Sequence, residues 1–260
     1  MKKQILIIHG GDTFETEEAY FKFLRDYQID INRYTSDKDD WKKWLREELP
    51  DHEVILPTMP NKTNARFEEW KLWMDKLTPY MNNDIILIGH SLGGSFLAKY
   101  LSENKLPKKI KAVFLVSAVY DKDSEGYSLL SFSLPEKLDL QSDAVYLYHS
   151  KDDPVVPFSA LEKYKQALPK ANIRVFEDRQ HINQEKFPEL LEDIKNLNWR
   201  AGDKIMNSKT IIFVGMFVGS TAGSLLASVF GADYLSLTSA LLSFIGGAVG
   251  VYFGYKIANN

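Results

Sequence analysis

The stretch Asp84-Ile-Ile-Leu-Ile-Gly89-His90-Ser91-Leu92-Gly93-Gly94 carries the spacing Gly89-x-Ser91-x-Gly93 directly behind an apolar run. A serine hydroxyl becomes a nucleophile when a sharp strand-to-helix turn lifts it clear of the backbone. Such a turn needs glycine two residues to either side so that the neighbouring chain can pass. The spacing alone is common. An apolar strand before it and a helical segment from Ser95 to Ser102 after it make it specific to nucleophilic catalysis. The same turn aims the Leu92 backbone N–H, at a helix N-terminus, toward the place where an oxyanion would form.

A nucleophilic serine needs a base, and the base needs a group to orient it. Enzymes with this turn place the acid after a later strand and the histidine after the last one. Tyr146 to His149 reads as a strand that enters Ser150-Lys151-Asp152-Asp153-Pro154-Val155-Val156-Pro157, a loop with two adjacent aspartates. Asp153 is preferred, because a residue before proline is driven to extended backbone and can point inward; Asp152 is its rival. His181 follows the strand Ile173–Phe176 through Glu177-Asp178-Arg179-Gln180 and precedes a helix, where the base should lie. The other histidines read differently: His9 walls the pocket, His52 is solvated, His90 is the variable residue of the turn, and His149 packs. The second oxyanion donor belongs to the loop after the first strand, where the Gly11 amide is expected and Asp12 is the alternative. No cluster reads as a metal site, and no phosphate loop or dinucleotide fingerprint occurs, so no cofactor is expected.

These residues have to be held by something rigid. Strand-like runs occur at Gln4–Ile8, Glu53–Leu56, Asp84–Ile88, Ala112–Val116, Ala144–Tyr148 and Ile173–Phe176. Most are apolar throughout rather than alternating, as in parallel strands covered on both faces. Helical faces lie between them: Trp41, Trp44, Leu45 and Leu49; Phe67, Trp70, Met74 and Leu77; Leu161, Tyr164 and Leu168 after Pro157; and Phe187, Leu190, Leu191, Ile194 and Leu197. The alternation predicts an α/β fold, a mostly parallel sheet with helices on both faces. Asp12 to Asp40 and Tyr120 to Ser142 interrupt it, the former with one helix around Glu17–Tyr27 and a polar loop Thr35–Asp40; each is a surface insertion or a lid.

The 260 residues include 32 Lys and Arg, 35 Asp and Glu and no Cys, for a net charge of −3. That balance excludes a disordered chain and a polybasic nucleic-acid binder. The absence of cysteine excludes a disulfide scaffold, a thiolate zinc site and a cysteine nucleophile. The mean hydropathy of −0.26 conceals a division. From Thr210 to Asn260 the ionisable groups of consequence are Asp233 and Lys256 alone.

Residues 1–198 resemble the α/β-hydrolase superfamily and, within it, the small retinoblastoma-binding-type serine hydrolases. The shared features are the strand ending in His9-Gly10, the W-x-x-W-L-x-x-E-L segment from Trp41 to Leu49, the "LPTMP" that follows the second strand, the "GHSLGG" turn, the "DDPVVP" acid loop and the late histidine. The resemblance implies hydrolysis of an ester, thioester or amide through Ser91, Asp153 and His181. Two departures stand out: Gln180 occupies a position where such families commonly carry Gly, and the Asp12–Asp40 stretch is longer than in compact members.

The remainder is hydrophobic. Thr210 to Ala232 and Tyr234 to Tyr255 lack charge, and each exceeds the roughly 20 residues that span a bilayer. Gly215, Gly219, Gly223, Ala227 and Gly231 recur every four residues, as do Gly246, Gly250 and Gly254, a spacing that lets helices approach closely in lipid. The expected organisation is a hydrolase domain at 1–198, a linker at 199–209 and a transmembrane hairpin at 210–256. Lys204, Lys209 and Lys256 flank the hairpin on one side, which predicts a hydrolase domain facing the cytoplasm. The apolar run from Ile5 to Ile8 is shorter than the roughly seven to fifteen residues of a secretory signal, so none is expected. The expected partners are a small acyl or lipid-like substrate, the membrane through 210–256, and further copies of the chain through the glycine stripes, but no nucleic acid. The alternative is a catalytically silent membrane scaffold.

Overall fold

The computed structural model describes residues 2–31, 40–120, 129–197, 208–231, 233 and 236–258. Most of the loop expected at 35–40, the middle of the 120–142 stretch, Lys204 and nearly all of the 199–209 linker lie outside the described residues. The chain divides into two units, Met1–Lys195 and Asn196–Asn260.

In the first unit every expected strand forms: β1 (Lys3–Ile8), β2 (His52–Ile55), β3 (Ile85–His90), β4 (Ile110–Val116), β5 (Val145–Ser150) and β6 (Asn172–Phe176). They make one sheet in the order β2-β1-β3-β4-β5-β6, with each neighbouring pair parallel. Its centre is dry: Ile5 to Ile8 of β1 and all six residues of β3 are buried. β6 does not follow the expectation of two covered faces. It is an edge strand, and its Ile173 and Val175 are exposed.

Successive residues of a strand face opposite ways, so an apolar run supplies two cores at once. On one face Leu6, Ile8, Leu87, Val113, Leu115 and Leu147 meet α3 (Phe67–Leu77), α4 (Leu92–Glu103) and α5 (Ser159–Ala167). Phe67, Trp70, Phe96 and Phe132 pack here with ring centroids 5.2–6.4 Å apart. On the other, α2 (Trp41–Glu48) and α6 (Pro188–Lys195) lie close, with Trp41 edge-on to Phe187 and Phe187 edge-on to Tyr148. The Tyr148 hydroxyl donates to Asp193, which also takes a two-pronged bond from Arg174, tying β5, β6 and α6 together. Asp40 caps α2 by accepting the Lys42 and Lys43 amides. Helix α1 (Glu17–Asp26) begins at its Thr16 cap and buries none of its residues.

Among the described residues of the second unit are the helices α7 (Ser208–Val229) and α8 (Leu237–Ala258). Helix α7 starts two residues before the expected hairpin, inside the expected linker. Windows at Ile212–Val229 and Leu237–Lys256 are long and apolar enough to cross a membrane. The glycine stripes face each other within this one chain. A Cβ on Gly215 would stand 2.3 Å from the Gly250 carbonyl oxygen, and one on Gly219 2.0 Å from that of Gly246. Gly231 departs from the stripe: it turns the chain at φ +77° and a Cβ there would touch nothing.

Candidate active site

Ser91 stands between β3 and α4 at φ 54°, ψ −125°, a left-handed conformation that side chains rarely adopt. The turn is held from below. The Ser91 amide donates to the Val116 carbonyl of β4, and the Ser91 carbonyl accepts from Gly94. The flanking glycines are required by contact rather than by their own torsions. A Cβ on Gly89 would lie 2.5 Å from the Gly93 oxygen, and one on Gly93 would lie 2.4 Å from the Ile8 oxygen and 2.5 Å from that of His9. The elbow is thereby pressed onto the end of β1. There a Cβ on Gly10 would sit 3.0 Å from the Ser91 Cβ and 3.4 Å from its Oγ.

Asp153 and His181 come together from loops 28 residues apart. His181 Nδ1 lies 2.9 Å from Asp153 Oδ2 and 3.1 Å from Oδ1. A carboxylate can only accept here, so Nδ1 carries the proton and Nε2 is left with its lone pair. The Asp153 side chain is wholly buried, and its Oδ1 also accepts the Val155 and Val156 amides at 2.9 Å. Burial alone would raise its pKa. The His181 bond and the two amides outweigh that and hold the carboxyl below its ordinary value. Asp152 faces elsewhere: its Oδ1 accepts from Ser150 Oγ at 2.5 Å and from the Gln180 amide at 2.8 Å.

Three other histidines are built into the surroundings. His90 is buried beside Ser91, its ring 4.9 Å from that of His181, and its Nε2–H donates to the His181 carbonyl at 2.9 Å. Burial, with Lys42 and His181 nearby, drives its pKa well below the usual value. His9 donates from Nδ1 to the Gly10 carbonyl and accepts the Met59 amide at Nε2, so both ring nitrogens are engaged. His149 bonds the Val156 carbonyl beneath the acid loop. His52 is half-buried rather than solvated.

Of the proposed oxyanion donors, Leu92 opens α4, where first-turn amides have no acceptor within the helix. The Asp12 amide, the alternative to Gly11, donates to the Lys62 carbonyl at 2.8 Å and is occupied. Gly11 lies against Lys62 and Trp70.

A strand, a left-handed serine, a helix and then an Asp–His pair follow one another along the chain. The family model described as serine hydrolase matches residues 33–197. The chain belongs to the serine hydrolase family. YdeN of Bacillus subtilis (strain 168) is 26% identical to this hydrolase over 200 residues, covering 73% of the hydrolase and 92% of YdeN. The solved structure of the Bacillus subtilis ydeN gene product superposes with a TM-score of 0.57 at 20% identity, covering 75% of the hydrolase and 98% of that chain. A YdeN-like hydrolase from Pectobacterium atrosepticum gives 0.54 at 16%, covering 75% and 90%. The shared fold is that of the α/β-hydrolases, and the family match ends before α7.

Two features of the site were not read from the sequence. The backbone on either side of His181 is left-handed, with Gln180 at φ 48° and Ile182 at φ 49°. Each such non-glycine residue costs about 1–2 kcal/mol. The bond from Asp152 to the Gln180 amide joins a side chain to a backbone group 28 residues away. The departure noted at Gln180 is explained by this geometry: glycine enters that region without strain.

Proposed function

We propose that this hydrolase cleaves an ester, thioester or amide through Ser91, His181 and Asp153, and that its C-terminal hairpin tethers it to a membrane with the hydrolase domain on the cytoplasmic side. The observation that carries the catalytic reading is the part-buried Asp153–His181 bond of 2.9 Å, which leaves Nε2 as the basic nitrogen. His181 Nε2 takes the Ser91 hydroxyl proton as Oγ bonds the acyl carbon. The oxyanion that results is held by the Leu92 and Gly11 amides. His181 then returns the proton to the leaving group as its bond to the acyl carbon breaks. Water repeats the sequence, with His181 as its base, and frees the acid and Ser91. Asp153 stays ionised throughout and stabilises the imidazolium. The tether reading is supported by the apolar faces of α7 and α8, on which Phe213, Phe217, Phe244 and Phe253 are exposed. A tethered enzyme favours an acylated or lipid-like substrate.

The test is a fluorophosphonate probe on the full chain in membranes. The wild type should label and hydrolyse p-nitrophenyl acetate, and Ser91→Ala should do neither, losing on the order of 10³-fold or more in kcat. Asp153→Asn should lose about 10⁴-fold through the wrong imidazole tautomer. Labelling that survives Ser91→Ala would overturn the nucleophile assignment, and a wild type that never labels would favour the silent scaffold.

A further inference from the structure

We propose that Asp152 is a positioning residue for His181, acting through the Gln180 backbone amide. This rests on the reading of His181 as the base.

The case begins with the strain around the imidazole. His181 sits between two left-handed residues, neither of them glycine, so the segment would relax to another conformation unless it were held. It is held on both sides. Upstream, Ser150 Oγ accepts the Arg179 amide at 2.9 Å, Asp152 Oδ1 accepts the Gln180 amide at 2.8 Å, and the Ser150 hydroxyl itself donates to Asp152. Downstream, His90 Nε2 donates to the His181 carbonyl and Trp41 Nε1 to the Ile182 carbonyl, both at 2.9 Å. The downstream pair is buried among core rings and also carries the fold. Asp152 is different. It is exposed, fills no core space, and its described bonds go to Ser150 and to the Gln180 amide. Gln180 is adjacent to His181, so losing that bond loosens the peptide that carries the ring.

The adjacent aspartates thereby do separate work. Asp153 bonds the imidazole, and Asp152 bonds the peptide that carries it. The two roles ask for different chemistry. Asp153 must be ionised to balance an imidazolium, whereas Asp152 needs only an acceptor oxygen, which asparagine also has.

That difference makes the proposal testable in the full chain with p-nitrophenyl acetate as substrate. Asp152→Ala should lower kcat about tenfold with KM unchanged, because a base displaced by a fraction of an ångström misaligns proton transfer without altering binding. Asp152→Asn should restore kcat to within about twofold of wild type. The rate of fluorophosphonate labelling of Ser91 should follow the same order. Equal kcat in wild type and Asp152→Ala would overturn the proposal, as would an Asp152→Asn as slow as Asp152→Ala. An Asp152→Ala that does not fold, judged by its melting temperature, hands the decision to Asp152→Leu, which also lacks an acceptor, with the same two criteria. Asp153→Asn is run alongside. If it retains full activity the base assignment itself fails; if it collapses while Asp152→Ala does not, the positioning role alone is lost.

Discussion

Backbone meets backbone in two regions of this protein, and glycine makes the meeting possible in both. At the elbow, Gly93 lets α4 start against the last carbonyls of β1. In the hairpin, Gly215 and Gly219 let α7 lie on the main chain of α8. The surroundings set the consequence. At the elbow the contact is a single point inside a sheet whose strands are fixed from both faces, so it stores a strained serine and presents it. In the hairpin the contact repeats turn after turn between two helices, with no strained side chain to present, so it supplies association alone. Close approach is thus a means of aiming one residue where the frame is rigid, and a means of adhesion where two helices are otherwise free to part.

The largest effect that would break this comparison is at the elbow. Gly93→Ala puts a methyl 2.4 Å from the Ile8 carbonyl oxygen at the end of β1, so the backbone there must shift. It should cost about 3 kcal/mol of stability and abolish probe labelling, read by thermal melting and by gel fluorescence. A stable, labelled Gly93→Ala would show that the elbow has slack. In the hairpin, Gly219→Leu with Gly223→Leu should separate the helices by about 2 Å or more, toward the 8–10 Å of ordinary packing. Because the chain has no cysteine, a spin-label pair at Phe217→Cys and Phe244→Cys measures this directly. Labelling of Ser91 should stay within about twofold of wild type. A coupled loss of labelling would mean that the two regions are not independent.

The smallest difference is in acid. His9, His90 and His149 have folded-state pKa values below the ordinary 6.5, chiefly through burial. They bind a proton less readily in the folded domain than in the unfolded chain, which takes up protons below about 6.5. Stability is therefore full above that pH and falls as pH drops through it toward the folded values. The hairpin spans carry no such group. Between pH 7.5 and 5 the melting temperature followed by tryptophan, four of whose five copies precede residue 74, should fall, while residual helical dichroism from the hairpin should not. His90→Gln should flatten the slope. A transition independent of pH would remove these three histidines from the account.

Most of the frame was legible because the signals are local. Ile5 to Ile8 and Ile85 to Ile88 are apolar runs that only a covered strand explains, and the Gly89-x-Ser91-x-Gly93 spacing encodes a steric requirement in five residues. What escaped was set by distance in the chain. The proline after Asp153 favoured it over Asp152 in the sequence, but the use of Asp152 had no local sign; the structure gives Asp153 the imidazole and Asp152 the Gln180 amide 28 residues away. The exposure of β6 follows from its place at the sheet edge, which depends on strand order rather than composition. The spacing of Gly215 and Gly219 announced close packing without naming the partner, and the partner is the other half of the same hairpin.

The all-parallel order of the sheet also governs how the domain comes into being. No two neighbouring strands can be closed by a tight turn, and the central pairing joins Ile5 to Ile86 while β2 is placed on the opposite edge of β1. Each pairing must wait for a long segment of chain to find its mate, and the entropy of closing that segment comes before any contact rewards it. The hydrolase domain should therefore be a slow folder, in milliseconds to seconds. During that interval its apolar strands are unpaired, and Ser91, whose strain depends on β1 and β4 being in place, is not yet held in its left-handed turn.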